Sequence, residues 1–457
     1  MGLILQGGTI VTDVKSYKAD VRIENEKIAE IGADLFKGGD EIVPINGCYL
    51  VPGGIDTHTH FDLDVGTTIT ADNFETGTKA AIVGGTTTIL DFATQSKGNT
   101  LNDGLREWHD KSRGRCYSDY GFHMAITDWN DTTSKEMEDM INEGVTSFKM
   151  YMAYKDTLQV DDGIIFKALK RAKELGVLIG FHCENGDIIS ELINEFKDNN
   201  QLSPKYHQLS RPSDVEVEAT YRLMKIAKTA NAPVYVVHLS SKDALEEVKK
   251  ARLDGVKVYT ETCPQYLLLD DKLYDLDGFE SAKYVMSPPL RKKADNEALW
   301  KALEEGDIDA IGTDHCSFNY KGQKDIGVND FSKIPNGGPG VEHRMGLLYT
   351  YGVKEGKISM NKFVELTSTK AAKLFGMYPQ KGSIEVGSDA DIVVIDPEMK
   401  NIISAENQTQ NTDYTPYEGY EVDCQFRHVF LRGIEVIKEG KLTVEHPTGK
   451  YIVRTIN

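Results

Sequence analysis

Short apolar runs, each ending in a polar side chain, recur through the middle of this chain. They are Thr88-Ile89-Leu90-Asp91, Tyr120-Gly121-Phe122-His123, Thr146-Ser147-Phe148-Lys149, Leu178-Ile179-Gly180-Phe181-His182, Val234-Tyr235-Val236-Val237-His238 and Ala310-Ile311-Gly312-Thr313-Asp314-His315. Their length and composition predict buried strands. Between them, apolar periodicity predicts helices over 136–143, 164–175, 216–229 and 243–252. Strand and helix in alternation argue for βα units on a parallel sheet. A ligand-type residue at each strand exit is what a (β/α)8 TIM barrel requires, because its active site lies at the C-terminal ends of its strands.

The two ends of the chain have another texture. Leu3-Ile4-Leu5, Thr9-Ile10-Val11, Asp20-Val21-Arg22-Ile23 and Lys27-Ile28-Ala29-Glu30-Ile31 are short runs separated by Gly, Asn and Asp, and they predict a small β-sandwich. The texture returns in 387–395 and 428–433. The chain is therefore expected to be α/β, with a barrel over 52–384 and one split β-sandwich built from 1–51 and 385–457. Residues 385–457 also carry a polar, aromatic stretch, Gln408 to Tyr417, which reads as a surface extension open to interface packing.

A chain of 457 residues accommodates a barrel of about 250 residues or more with a satellite domain. Lys and Arg total 52 against 71 Asp and Glu, a net charge of −19 that repels phosphate backbones, so no nucleic-acid partner is expected. The six cysteines stand singly without a Cys-x-x-Cys pair, as free thiols in a reducing compartment do. Cys183 and Cys316 each follow a histidine and read as small buried hydrophobes. The start, MGLILQGGTIVTD, has no basic region ahead of an apolar stretch, and no run of 18 apolar residues occurs, so neither secretion nor membrane spanning is expected. The expected location is cytoplasmic.

His58-Thr59-His60 closes the run Val51-Pro52-Gly53-Gly54-Ile55-Asp56-Thr57. Residues two apart on a strand share a face, so both imidazoles can reach one metal ion. Lys149, His182, His238 and Asp314 add four more strand exits of ligand type. Nitrogen and oxygen donors without thiolate favour Zn²⁺, with Mn²⁺, Co²⁺ or Fe²⁺ also able to bind. Four histidines and a carboxylate exceed what one catalytic zinc takes, which points to two divalent ions. Such a pair, about 3.5–4 Å apart, activates a shared water and polarises a carbonyl together. It needs a second bridging ligand, and an unmodified lysine ammonium, with a pKa near 10, is a poor one.

The order His-x-His, Lys, His, His, Asp resembles the amidohydrolase superfamily. Further stretches resemble its dihydropyrimidinase/D-hydantoinase family over essentially the whole chain: Gly84-Gly85-Thr86-Thr87-Thr88, Met152-Ala153-Tyr154, His182-Cys183-Glu184-Asn185-Gly186, Glu261-Thr262-Cys263-Pro264-Gln265-Tyr266-Leu267, Ser287-Pro288-Pro289, Ile334-Pro335-Asn336-Gly337 and Phe375-Gly376-Met377-Tyr378-Pro379. The resemblance implies that Lys149 is carboxylated to a carbamate bridging both metals, which answers the electrostatic objection. It also implies that His58, His60 and Asp314 hold the more buried ion and His182 with His238 the more exposed one. Asp314 would accept the proton of the attacking water and return it to the departing ring nitrogen. Tyr154 would support the developing oxyanion, and main-chain groups of Ser287 and Asn336 would pair with the substrate's imide edge. The implied reaction opens dihydropyrimidines and 5-substituted hydantoins to N-carbamoyl amino acids, and the implied assembly is a homotetramer.

Dihydroorotases and allantoinases share these ligands, so the metals do not select the substrate. A dihydroorotase usually has an arginine just after His-x-His to pair with the substrate carboxylate. Here Phe61-Asp62 follows, and an aspartate there is expected to repel such a group, which favours a neutral cyclic ureide or imide. The ring substituent is expected to meet Leu63, Val65, Tyr151, Met152 and Leu158. The alternatives are an allantoinase-like cyclic ureide hydrolase and a non-catalytic structural homologue; the intact ligand positions argue against the latter.

Overall fold

A computed structural model of the chain describes residues 2–456. Its centre is an eight-stranded parallel sheet whose neighbours follow sequence order. The strands are β1 (Gly54–Thr59), β2 (Thr86–Thr94), β3 (Asp119–Ala125), β4 (Ser147–Tyr151), β5 (Leu178–His182), β6 (Val234–Val236), β7 (Val258–Thr262) and β8 (Ala310–Ile311). A parallel bridge between Thr59 and His315, with the His60 amide donating to the His315 carbonyl at 2.8 Å, joins the last strand to the first and closes the barrel. The barrel strands are almost wholly buried, as parallel strands covered by helices must be.

The two chain ends form separate sheets. Leu3–Gln6, Asp20–Glu24, Lys27–Gly32 and Glu41–Pro44 make a four-stranded sheet. A seven-stranded sheet joins Thr9–Val11, Ser16–Lys18 and Tyr49–Pro52 to Ile392–Asp396, Gln425–Leu431, Ile434–Lys438 and Lys441–Leu442. The join is the antiparallel pairing of Leu50 with Val394 and of Pro52 with Ile392. Leu5, Ile10, Val21, Leu50, Ile392, Val394 and Phe430 fill the core between the sheets. Only Gly53 separates Tyr49–Pro52 from β1, and a Cβ there would lie 2.0 Å from the Thr87 hydroxyl, so the close approach requires glycine.

A buried charge cluster ties the barrel to the returning chain. The Lys381 ammonium lies 2.5 Å from Asp119, 2.6 Å from Asp391 and 3.0 Å from Asp389, while the Arg432 guanidinium also pairs with Asp119 and the Arg432 amide donates to Asp391 at 2.7 Å. Removing one partner of such a buried set leaves uncompensated charge. Lys381→Met is therefore expected to lower stability by about 3 kcal/mol or more, read as a fall in the urea midpoint; an unchanged midpoint would show that Arg432 on Asp119 and Lys27 on Asp389 suffice to neutralise the cluster.

Residues 408–417 do not form the expected surface extension. Gln410, Thr412, Tyr414, Thr415 and Tyr417 are buried. The Glu342 carboxylate accepts the amides of Thr409 (2.7 Å) and Gln410 (3.0 Å), Asp72 accepts that of Asn411 (2.9 Å), and Asp413 accepts those of Tyr320 (2.6 Å) and Lys321 (3.0 Å). A polar segment buries when such partners exist, and composition does not reveal them. Further on, Ile452 donates to Tyr120, and the buried Arg454 guanidinium reaches Ser147 and the Phe122 carbonyl. The tail thus packs against β3 and β4. Among the described residues, no helix is long and apolar enough to cross a membrane.

Candidate metal centre and substrate pocket

β1, β4, β5, β6 and β8 deliver His58 with His60, Lys149, His182, His238 and Asp314 to one place. Asp314 Oδ1 lies 3.2 Å from His58 Nε2 and 3.3 Å from His60 Nε2. His182 Nδ1 faces His238 Nε2 at 3.0 Å. Ligand atoms of His58, His238 and Asp314 all fall within 4.8 Å of one another.

The outer nitrogens of two ligand-type imidazoles are engaged. His58 Nδ1 donates to Glu261 at 2.7 Å, and His182 Nε2 donates to Glu184 at 2.7 Å. Each ring therefore turns its other nitrogen toward the centre. A histidine oriented by a carboxylate in this way is the usual supporting arrangement of a metal ligand. Two buried imidazole nitrogens 3.0 Å apart, with a carboxylate beside a second pair, form a donor set that a divalent cation fits.

Backbone geometry sharpens the placement. Tyr154 (φ 66°), His238 (φ 38°) and Asp314 (φ 53°) all occupy the left-handed region. Non-glycine residues persist there only where their surroundings hold them, and such positions concentrate at functional sites. The turn at His238 also explains why β6 ends at Val236, two residues short of the predicted run.

Lys149 is almost wholly buried, and its Nζ sits 5.2 Å from the Phe92 ring and 5.1 Å from the Tyr151 ring. No carboxylate of the described residues forms a salt bridge with it. Burial pushes its amine down to about 8, against the pull of Asp314 and Glu261. Burial pushes the Asp314 carboxyl up, but the imidazoles of His58 and His60 outweigh it and hold the group well below the usual range. The Tyr154 hydroxyl is pushed up by burial and so remains a proton-bearing donor; it lies beside the Ser287 side chain.

Glu261, Glu184 and Arg211 were not singled out as site residues from the sequence. Glu261 also accepts the hydroxyls of Thr57 and Tyr235. It stands on β7, a strand absent from the predicted set because Val258-Tyr259-Thr260-Glu261-Thr262 reads as polar; Glu261 turns inward to His58 and Tyr235, while Thr260 and Thr262 on the other face bond the carbonyls of Asp307 and Leu239. Glu184 was available from the same two-residue spacing that links His58 to His60. Arg211 pairs with Glu184 at 2.7 Å and lies over the Tyr154 ring at 5.7 Å, so one guanidinium touches both the partner of His182 and Tyr154. Burial opposes ionisation of Glu184, but Arg211 and His182 bring its carboxyl down to about 2.

Two predicted strand ends serve the frame instead. Asp91 accepts the Thr59 hydroxyl and the amide of Phe61, both at 2.9 Å, which holds the backbone around His60. His123 bonds Ser147 and the Thr57 carbonyl as a satisfied core histidine. Asp62 also departs from expectation. Its carboxylate accepts the Phe74 amide at 2.8 Å and faces Arg115 at 3.5 Å, so it caps a helix rather than guarding the pocket. The bias toward neutral rings rests on the missing arginine after His60 and not on repulsion by Asp62.

Of the substituent-contacting candidates, Met152 is buried in the main core and Tyr151 is buried beside Lys149. Leu63 and Leu158 are half-buried and Val65 is exposed, all three on loops. Ser287 is buried with its hydroxyl unpaired, and Asn336 is half-buried. All six cysteines are buried and unpaired; burial pushes the Cys183 thiol up to about 12 and raises that of Cys316 further, which disfavours a thiolate nucleophile.

A closed parallel barrel with histidines, a lysine and an aspartate converging at its strand exits defines the amidohydrolase class. The family model described as "Amidohydrolase family" matches residues 49–436. The chain is 46% identical to the D-hydantoinase of Geobacillus stearothermophilus over 99% of this chain and 97% of that protein. Among solved structures it matches a dihydropyrimidinase from Brevibacillus agri NCHU1002 with a TM-score of 0.98, 48% identity, and coverage of 100% of this chain and 99% of that one. The D-hydantoinase of Bacillus sp. AR9 matches with a TM-score of 0.98, 48% identity and 99% coverage of both chains. The chain belongs to the dihydropyrimidinase/D-hydantoinase family, and it is a cyclic amide hydrolase.

Proposed function

We propose that the site opens the ring of dihydropyrimidines and 5-substituted hydantoins, giving N-carbamoyl amino acids. The observation that carries this reading is the pair of carboxylate-pinned imidazoles, His58 and His182, whose inward nitrogens face Asp314 and His238. His58, His60 and Asp314 would hold one ion and His182 with His238 the other, Zn²⁺ being favoured, with Lys149 as a bridging carbamate. The isolation of Lys149 from carboxylate partners and its lowered pKa support carboxylation, since the neutral amine is the form that takes up CO₂. When bound, the ions supply Lewis acidity toward a ring carbonyl and make an attacking water acidic near neutral pH.

The protein's own groups carry the remaining steps. Asp314 takes the proton of the attacking water and returns it to the departing ring nitrogen. Tyr154 donates its hydroxyl to the carbonyl oxygen as negative charge develops there. Main-chain groups of Ser287 and Asn336 pair with the imide edge, and Leu63, Val65 and Leu158 meet the ring substituent. Shape discriminates such substituents by only about 1–3 kcal/mol per methylene, so overlapping activities are expected. The family relation supports a homotetramer, which light scattering tests, and the six buried unpaired thiols support a cytoplasmic setting.

The test is a panel of dihydrouracil, 5-phenylhydantoin, allantoin and dihydroorotate, with a metal-stripped control. The first two are expected to turn over, to stop on chelation and to recover with added Zn²⁺. Fast hydrolysis of dihydroorotate alone would overturn the reading.

A further inference from the structure

Ser287 and Asn336 stand on two separate segments, so an imide edge can be read by both only if the segments keep a set distance. We infer that Lys324 is a positioning residue that clamps these two main-chain segments together and so sets the spacing on which substrate recognition depends. This inference rests on the substrate-binding role proposed above for Ser287 and Asn336.

The Lys324 side chain has no exposed surface. Its Nζ donates to the carbonyl of Val285 at 2.9 Å and to that of Pro335 at 3.0 Å. Val285 lies two residues before Ser287, and Pro335 one residue before Asn336. A further bond closes the same joint, because the Gly337 amide donates to the Val285 carbonyl at 3.0 Å. Gly337 has φ 140°, and a Cβ there would come within 2.2 Å of the Cys316 carbonyl oxygen. The Asn336 segment is thereby pressed against the strand exit that carries Asp314. Lys324 ties the two recognition segments to each other, and Gly337 ties them to the catalytic edge.

The partners of the amine explain why a lysine stands here. No carboxylate of the described residues pairs with it, and an apolar side chain would fill the same volume at a lower desolvation cost. What lysine adds is a long arm with several N–H donors at one point, able to hold two carbonyls at once. Its base is held as well, since the Lys324 amide donates to Asn319 at 2.9 Å and Val285, Phe331 and Ile334 pack together in one apolar cluster. Burial pushes the amine down to about 7, with the Cys316 thiol pulling the other way. The neutral amine keeps two N–H donors, so both contacts survive in either protonation state.

The experiment compares wild type, Lys324→Met and Lys324→Arg with 5-phenylhydantoin and dihydrouracil, measuring KM, kcat, metal content and thermal midpoint. Lys324→Met is expected to raise KM about tenfold on both substrates, with kcat within about threefold and metal content unchanged, the pattern of lost binding rather than lost chemistry. Lys324→Arg, which keeps a multi-donor cation, is expected to recover part of that loss. A folded Lys324→Met with a lower thermal midpoint and an unchanged KM would overturn the inference, as would loss of metal in proportion to activity. If the methionine variant does not fold, Lys324→Gln decides in the same way: a raised KM with full metal content supports the clamp, and an unchanged KM overturns it. Wild type inactive on both substrates would instead refute the proposed function, so the two failures are distinguishable.

Discussion

Lys149→Ala is expected to abolish ring opening and to lower bound metal from about two ions per chain toward none. Lys149 sits on β4, its amine buried against Phe92 and Tyr151 with no carboxylate of the described residues in a salt bridge to it. A bare ammonium there would repel two cations; a carbamate would attract both. Alanine leaves a gap the size of the side chain beside both ligand groups. Short carboxylic acids such as propionate should enter that gap, restore part of the metal and return part of the turnover. Metal analysis by atomic absorption and steady-state assays with and without propionate measure this. A variant that keeps full metal and full activity without rescue would remove Lys149 from the bridge.

Asp314→Asn is expected to lower kcat by about 10²–10⁴, the usual contribution of a positioned proton carrier. Asparagine keeps the shape of the side chain and an oxygen toward His58 and His60, which lie 3.2 and 3.3 Å away. It cannot accept a proton. The loss should therefore be larger than any accompanying loss of metal, which is measured on the same sample. It should also shrink for rings with a less basic leaving nitrogen, because these need less help from proton return. An unchanged kcat in the metal-loaded variant would remove Asp314 as the proton carrier.

Both expectations concern residues that sequence alone brings forward, and the reason is local. A histidine, lysine or aspartate ending a short apolar run is visible without knowledge of any neighbour. β5 occupies its predicted residues, Leu178 to His182, and His58 near the end of β1 and His60 just beyond it both face Asp314. β7 was hidden because Thr260, Glu261 and Thr262 break its apolar run, and each finds its buried partner on another segment, the threonines on the carbonyls of Asp307 and Leu239 and Glu261 on His58. Glu261 thus becomes meaningful only when His58 is found 2.7 Å away, 203 residues earlier in the chain. Asp62 shows the opposite error. Its charge was legible, but its partner, the Phe74 amide, was not.

By itself the sequence determined the alternation of strand and helix, the split texture of the two ends and the identity of the ligand-type residues that converge at the strand exits. These follow from periodicity and residue type, which need only a few neighbouring positions. Tertiary structure alone decided which polar groups orient those histidines, that Gln408 to Tyr417 turns inward onto Glu342 and Asp72, and that Lys324 spans two distant carbonyls. A buried polar group is stable only beside its partner, and in a barrel that partner usually comes from a different part of the chain.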